Sequence, residues 1–390
     1  MRNITEAMMR LIKSQICELP VDGISRDVLS DEFYEKLYNL SKGHDMAHIV
    51  GSALSAGGLS PKSEIGSKFE KQTLMSIFRY ERLNYEYGLI CKALEDSKIA
   101  YIPLKGSVIK KYYPKLWMRT SCDIDILVKN DELNEAVAAV CDRLGYKKEE
   151  PKDGIEKFHD VSLYSDTGVH LELHFNILED MENVDALLSK VWEYSLPEKE
   201  GGYKYVQTNE YLMFHHIAHM YYHFVHGGCG VKPFVDLYLL LEKAEFSDET
   251  VIEMCGRCGI EKFYEAAKKL SRVWFDGEER TELTEKLEYY ILTGGLYGTE
   301  ANAIAIKQVK SGGKMGYALS RIWLPYSKLS ELYPSLRKQK WLLPFYQIRR
   351  WFAVLMRGRL KHSVKELKTN SAVTNDNAKN IEDILSILEL

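Results

Sequence analysis

The chain of 390 residues is 45% hydrophobic and 28% charged with a net charge of −4, a globular balance that excludes collagen-like, mucin-like and disordered chains. Its length points to two or three domains and lets it bury about 75% of its unfolded surface without disulfide or metal staples. The acidic balance argues against a globally basic nucleic-acid binder, and seven irregularly spaced cysteines read as reduced thiols of a cytoplasmic protein. The opening residues lack the apolar stretch of a secretory signal. No uncharged apolar run approaches the ~18 residues of a membrane span.

Apolar residues at helical spacing, Met8, Leu11, Ile12 and Ile16, then Leu29, Phe33, Leu37 and Leu40, predict helices within residues 1–50. Glycine and serine enrich 51–68, which predicts a loop. A long helix follows over 71–96, with Leu74, Ile77, Phe78, Leu83, Leu89, Ile90 and Leu94 as its core face. The period then changes to two. A strand is predicted over 99–104, then a short helix over 108–113 ended by Pro114. A second strand spans 122–128. Asp131 is suited to cap a helix running to Leu144, which Gly145 closes. Segments 157–164 and 169–177 read as a hairpin turning at Ser165-Asp166-Thr167-Gly168. From Asn209 the pattern is helical again, broken at Gly227-Gly228 and at Gly312-Gly313. Residues 369–378 read as a polar linker and 381–390 as a short amphipathic helix.

Chemistry concentrates between Lys105 and His174. Alternate residues of a strand share a face, so Asp123 and Asp125 point the same way, roughly 6.6 Å apart along the chain. Two bare carboxylates repel and resist ionising together. A divalent cation removes that repulsion, and hard oxygen ligands beside phosphates suit Mg²⁺. Gly106 allows backbone to approach a ligand, Ser107 adds a hydroxyl, and both lie where a strand hands over to a helix whose first amides attract phosphate. Lys105, Lys110, Lys111 and Arg119 add positive charge. The best third acid is Glu172, which shares a strand face with His170 and His174 while Leu171, Leu173 and Phe175 face the other way. A phosphate cradle next to a carboxylate set is the layout of metal-assisted phosphoryl or nucleotidyl transfer.

Other features have plainer readings. His215, His219, His223 and His226 lie near one helical face, but no local cysteine or acid completes a zinc site, so packing or a cleft-facing role is expected. Cys255 and Cys258 lack two further ligands and read as a helix end. Residues 337–368 carry ten Lys or Arg and one acid, interleaved with aromatics. Such a segment covers a core with its apolar face, lies on an anionic membrane surface, or binds nucleic acid.

The run Leu104-Lys105-Gly106-Ser107, Tyr112-Tyr113-Pro114, Arg119 and Asp123-Ile124-Asp125-Ile126-Leu127-Val128 resembles the uncharacterised nucleotidyltransferase family of bacteria, within the DNA-polymerase-β-type nucleotidyltransferase superfamily. The resemblance extends through His215-His216-Ile217-Ala218-His219 and Lys232-Pro233-Phe234-Val235-Asp236-Leu237 to Trp341-Leu342-Leu343-Pro344, roughly residues 70–360. It implies an α+β fold: a nucleotidyltransferase-type mixed β-sheet core with N-terminal helices and a C-terminal helical domain. The segments implied are an N-terminal helical region (1–98), the catalytic core (99–205), a helical substrate domain (206–310), the basic aromatic segment (311–368), and a linker with a terminal helix (369–390).

The same resemblance implies that Asp123, Asp125 and Glu172 hold two Mg²⁺ ions. Gly106 and Ser107 would hold the β- and γ-phosphates of a nucleoside triphosphate, with Lys105, Arg119 and His174 beside them. The expected reaction moves a nucleoside monophosphate to a hydroxyl, of a small molecule in the first reading, and releases pyrophosphate. A protein or RNA acceptor, or a non-catalytic nucleotide-binding module, are the alternatives. No nucleic-acid partner is expected, and weak membrane-surface contact is expected through 337–368. One departure is Lys232 where an arginine is expected before the helix of Asp236; charge is kept but bidentate contacts are lost.

Overall fold

The computed structural model describes residues 2–149, 159–295, 298–337, 339–356 and 368–390. The chain forms two compact units, one of residues 1–222 with 230–284 and one of 223–229 with 285–390. The first unit opens with four helices: α1 (Arg2–Ile16), α2 (Asp31–Gly43), α3 (Ala47–Ala56) and the 33-residue α4 (Glu64–Asp96). Ser30 caps α2 by accepting from the Phe33 amide.

Helix α3 runs through the first part of the predicted 51–68 loop. Gly51 is there for close approach: a Cβ would lie 3.0 Å from the Phe69 carbonyl and 3.1 Å from Thr73 Oγ1 on α4. Glycine thus lets two helices pack tightly, which its usual role as a breaker conceals. The core face of α4 also differs from expectation. Ile90 and Leu94 are buried, but Leu74 and Phe78 are exposed. Polar groups take their place: Ser76 Oγ donates to the Trp117 carbonyl (2.7 Å), and Glu86 accepts from Tyr146 Oη and Thr167 Oγ1 (both 3.0 Å).

The sheet follows. Strands β1 (Tyr101–Pro103), β2 (Asp123–Val128), β3 (Lys147–Lys148), β4 (Asp160–Tyr164) and β5 (His170–His174) are ordered β1-β2-β5-β4-β3. Among the described strands of this sheet, β2 and β5 pair in parallel and the other neighbours are antiparallel. Helix α5 (Gly106–Ile109) and helix α6 (Leu133–Leu144) flank β2, and Gly145 closes α6 in the left-handed conformation at φ 73°. A 3₁₀ turn, Asn130–Glu132, precedes α6, so Asp131 lies outside the helix it was expected to cap. The predicted strand at 157–164 begins at Asp160; 157 and 158 lie outside the described residues.

Alternation in β2 and β5 decides where the core sits. Ile124, Ile126, Val128, Leu171 and Leu173 point into one buried cluster with Ile90 and Leu94 of α4 and Ala136 and Val140 of α6. Asp123, Asp125, His170, Glu172 and His174 therefore face the opposite side. Helix α7 (Glu182–Leu188) and a small hairpin, β6 (Ser195–Pro197) with β7 (Tyr205–Gln207), lead to α8 (Asn209–Val225), α9 (Lys232–Lys243), α10 (Asp248–Arg257) and α11 (Glu261–Phe275). Cys255 and Cys258 are buried and unlinked at the end of α10.

The second unit comprises helices α12 (Glu282–Gly294), α13 (Glu300–Lys310), α14 (Lys314–Ile322), α15 (Tyr326–Leu332), α16 (Leu343–Met356) and α17 (Asn375–Leu388). Part of the predicted 369–378 linker is helical, because Thr374 caps α17 by accepting from the Asn377 amide. Ile381, Ile384, Leu385 and Leu388 are buried at spacings of three and four.

His48 on α3 gives the first unit an acid sensitivity. Burial pushes its imidazole down to about 4, against the pull of Asp45, and the Nε2–H donates to the Met118 carbonyl (2.8 Å). Its folded-state pKa is below the ordinary ~6.5, so the unfolded chain takes the proton more readily. The stabilising contribution is therefore full above ~6.5 and lost as pH falls toward 4. About 3 kcal/mol is expected to disappear over that window. Melting curves of the protein and of His48→Gln test this: the variant should show the shallower pH dependence.

Candidate active site

The parallel register sets Asp125 directly opposite Glu172 and Asp123 opposite His170. Donor atoms of Asp123, His170 and Glu172 lie within 4.8 Å of one another, and so do those of Asp125, Glu172 and His174. Glu172 belongs to both sets. The three acids expected to converge thus do so, from two neighbouring strands.

Each carboxylate has a different environment. Asp125 is 4% exposed, and its Oδ1 accepts from Lys105 Nζ and from His174 Nε2, both at 2.9 Å. Burial would raise its pKa, but Lys105 and His174 overcome that and hold it well below the usual carboxylate range. Asp123 is pushed up, first by burial and then by the charges of Asp125 and Glu172, although Ser121 Oγ donates to its Oδ1 (3.1 Å). Glu172 is held down, chiefly by His174, whose Nε2 lies 3.5 Å from its Oε2. His174 is itself raised: burial opposes protonation, and its hydrogen bonds to Asp125 and Glu172 win.

Do these residues fit a divalent cation? Two observations say they do. Asp123 sits among like charges with only part of that charge balanced by Lys105. The buried Nε2 of His170 has no hydrogen-bond partner among the described residues, and it lies 3.9 Å from Glu172 Oε1. Its ring is fixed by stacking on Tyr164, with centroids 4.5 Å apart and planes 10° from parallel. A cation bound among these atoms would satisfy the orphaned nitrogen and the crowded carboxylates together.

Lys105 holds an unusual backbone. It sits at φ 46°, ψ −120°, in the left-handed half of conformational space, just ahead of α5. Strain of this kind is worth on the order of 1 kcal/mol, and here it turns the ammonium toward Asp125. Burial opposes its charge, but Asp125, then Glu172 and Asp123, push its pKa above the ordinary lysine value. Gly106 follows, and a Cβ there would lie 3.3 Å from Ser121 Oγ and 3.5 Å from Arg119 Nη1. Its smallness serves the packing of the 119–121 turn. Ser107 donates its amide to the Leu104 carbonyl (3.1 Å), so its hydroxyl is the group it offers outward.

Gly106, Ser107 and Asp123 line a cleft whose opposite wall is one face of α4: Ser76, Arg79, Tyr80, Leu83 and Tyr87. Lys110 also lines it, with Nζ 3.1 Å from Asn84 Oδ1 and over the Tyr80 and Tyr87 rings at 5.5 and 5.3 Å. Arg119 borders the cleft, but its Nε donates to both oxygens of Asp236 at 2.8 Å. Tyr113 Oη donates to the same carboxylate (2.6 Å). Lys232, at the position where arginine was expected, pairs with Asp45 at 2.5 Å.

The histidine-rich helix α8 approaches from the other side. His215 Nδ1 lies 3.2 Å from Gln207 Nε2, His216 Nε2 is 2.9 Å from the Pro233 carbonyl, and His219 Nδ1 is 2.7 Å from Glu179 Oε1. Burial first, helped by the charge of Lys105, pushes His215 and His219 down to about 3, so both rings are neutral.

Ser121 and Arg79 join the site although neither stands out in the sequence. Ser121 had a readable signal, lying two residues before Asp123 in phase with the carboxylates. Arg79 had a fainter one, the spacing Ser76, Arg79, Tyr80, Leu83, Tyr87 that marks one helical face. Alternation puts His170 on the acidic face, and the register alone shows that it stands opposite Asp123.

No curated protein matches the chain. Residues 31–276, more than half of its length, match the family described as uncharacterised nucleotidyltransferase. That span contains helices α2–α11, the mixed sheet and every residue of the acidic cluster, and the chain belongs to the uncharacterised nucleotidyltransferase family.

Proposed function

We propose that the protein transfers a nucleoside monophosphate from a nucleoside triphosphate to a hydroxyl of a small molecule, with magnesium as the cation. The observation that carries this reading is the register-enforced convergence of Asp123, Asp125 and Glu172 beside the Gly106-Ser107 turn. Bound Mg²⁺, two ions in the full arrangement, would supply charge neutralisation for the attacking and leaving oxygens. Asp123, Asp125 and Glu172 would hold it.

The protein's own groups do the rest. The Ser107 hydroxyl, Arg79 and Lys110 line the cleft that takes the phosphates. The triphosphate's negative charge is balanced there by cations already half-buried, where their field is less screened. Glu172, kept ionised by His174, accepts the proton of the acceptor hydroxyl. The new bond joins the acceptor oxygen to the α-phosphorus, the bond from that phosphorus to the bridging oxygen breaks, and pyrophosphate leaves. His215 and His219, neutral on α8, present uncharged donors or acceptors to the acceptor side and add no positive charge near the metal ligands.

Incubation with each nucleoside triphosphate, Mg²⁺ and a small-molecule extract is expected to release pyrophosphate. Chelation with EDTA should abolish that release and returning Mg²⁺ should restore it. Release that continues undiminished in EDTA contradicts the reading.

A further inference from the structure

Charge is distributed very unevenly along this chain. Residues 301–365 contain fourteen Lys or Arg and a single acid, Glu331. That is a local charge of +13 in a chain whose total is −4, so the other 325 residues carry −17. A segregation of this size marks a surface that meets a negative partner.

The same stretch of the second unit leaves two apolar stripes in solvent. On α14, Met315, Leu319 and Ile322 stand at i, i+4 and i+7, each between 45% and 76% exposed. Trp341, in the turn before α16, and Phe345, Ile348 and Phe352 on it stand at i, i+4, i+7 and i+11, each between 55% and 70% exposed. Scattered exposed apolar residues need no explanation, but two helical stripes do. The stripes are fastened together: Trp351 Nε1 and Arg350 Nη2 donate to the Ile322 carbonyl at 3.1 and 2.7 Å. Between the helices, buried Gln347 bonds both the amide and the carbonyl of Leu324, at 3.4 and 2.6 Å.

The partner must therefore offer an anionic surface above an apolar interior. A nucleic acid supplies charge and stacking faces for Trp341 and Phe345, but nothing for Met315, Leu319, Ile322 and Ile348, which are aliphatic. A second copy of the chain would bring +13 against +13. We propose that α14 and α16 lie in the surface of an anionic lipid bilayer, with the apolar stripes in the headgroup–acyl boundary and the exposed Arg321, Lys340 and Arg349 on the phosphates. No described helix is long and apolar enough to cross a membrane, so the contact is in-plane. The inference is independent of the acidic cluster in the first unit and stands or falls without it.

The test is co-flotation of the full-length protein with vesicles of phosphatidylcholine containing about one-third phosphatidylglycerol, and with pure phosphatidylcholine. Binding is expected to the anionic vesicles, to fall as salt is raised, and to be weak on the neutral ones. A Trp341→Ser/Phe345→Ser/Phe352→Ser variant replaces side chains already in water, so circular dichroism and melting should stay unchanged. Its affinity for the anionic vesicles should drop by about tenfold or more. No flotation, equal binding to neutral vesicles, or undiminished binding by the triple variant overturns the proposal. So does binding of poly(U) RNA, or dimerisation abolished by the same variant, with vesicles left unbound.

Discussion

Asp123→Asn is expected to abolish nucleotidyl transfer while leaving the metal-free protein at least as stable as before. The carboxylate is pushed toward its neutral form by burial and by Asp125 and Glu172, so in the absence of a cation its charge is a liability to the fold. An amide keeps the shape and accepts the Ser121 hydroxyl, yet it removes one anion from the set that would hold Mg²⁺. Losing several kcal/mol of transition-state stabilisation from a poorly held cation corresponds to a rate fall of about 10³ or more. Thermal melting in EDTA should give an unchanged or higher midpoint, and the upward shift produced by added Mn²⁺ should vanish. Asp125→Asn should behave oppositely in the melt. There Lys105 and His174 would both lose the anion that now binds them, and removing one member of a buried charged set is strongly destabilising. A metal-free Asp123→Asn protein that melts far below the parent would contradict the electrostatic account, and one that transfers at the parent rate would contradict the catalytic one.

Asp236→Ala is expected to cost about 3–5 kcal/mol, the largest stability effect among the site's neighbours. Asp236 is 1% exposed and holds the Arg119 guanidinium through both oxygens and the Tyr113 hydroxyl through one. Removing it leaves a buried cation without its counter-ion and a buried phenol without its acceptor. Arg119 also donates through Nη1 to the Thr120 carbonyl (2.6 Å), which fixes the turn that leads into β2. The melting midpoint should fall by on the order of 10 °C for a unit of this size. Arg119→Lys should not substitute for arginine, because an ammonium cannot reproduce the forked contact. A paired Arg119→Met/Asp236→Leu change should recover part of the loss, since apolar replacements of a buried pair are often tolerated. Asp236→Ala melting like the parent would show that the pair is not structural.

Much of the catalytic core was readable because strand alternation leaves so few choices. Ile124, Ile126 and Val128 had to face the helices, so Asp123 and Asp125 had to face away, and the same logic put His170, Glu172 and His174 on one side of β5. What alternation cannot reveal is which strands become neighbours. Only the parallel pairing of β2 with β5 turns two separate motifs into one cluster, and that pairing is encoded by long-range packing. Arg119 shows a second limit. A basic residue near two acids suggests a ligand contact, whereas its partner, Asp236, lies 117 residues downstream. Gly51 and Gly106 show a third: both are demanded by close packing, which composition alone reads as a loop or a ligand approach. In α4 the apolar period favoured Leu74 and Phe78, but Ser76 and Glu86 are buried because partners elsewhere in the fold satisfy them.

Anomalous diffraction from crystals soaked with Mn²⁺ and a non-hydrolysable nucleoside triphosphate tests the central assignment most directly. The account predicts manganese peaks within about 2.2 Å of carboxylate oxygens of Asp123, Asp125 and Glu172, with the triphosphate leading along the Gly106-Ser107 turn. An ordered triphosphate with no manganese among those three side chains would contradict it.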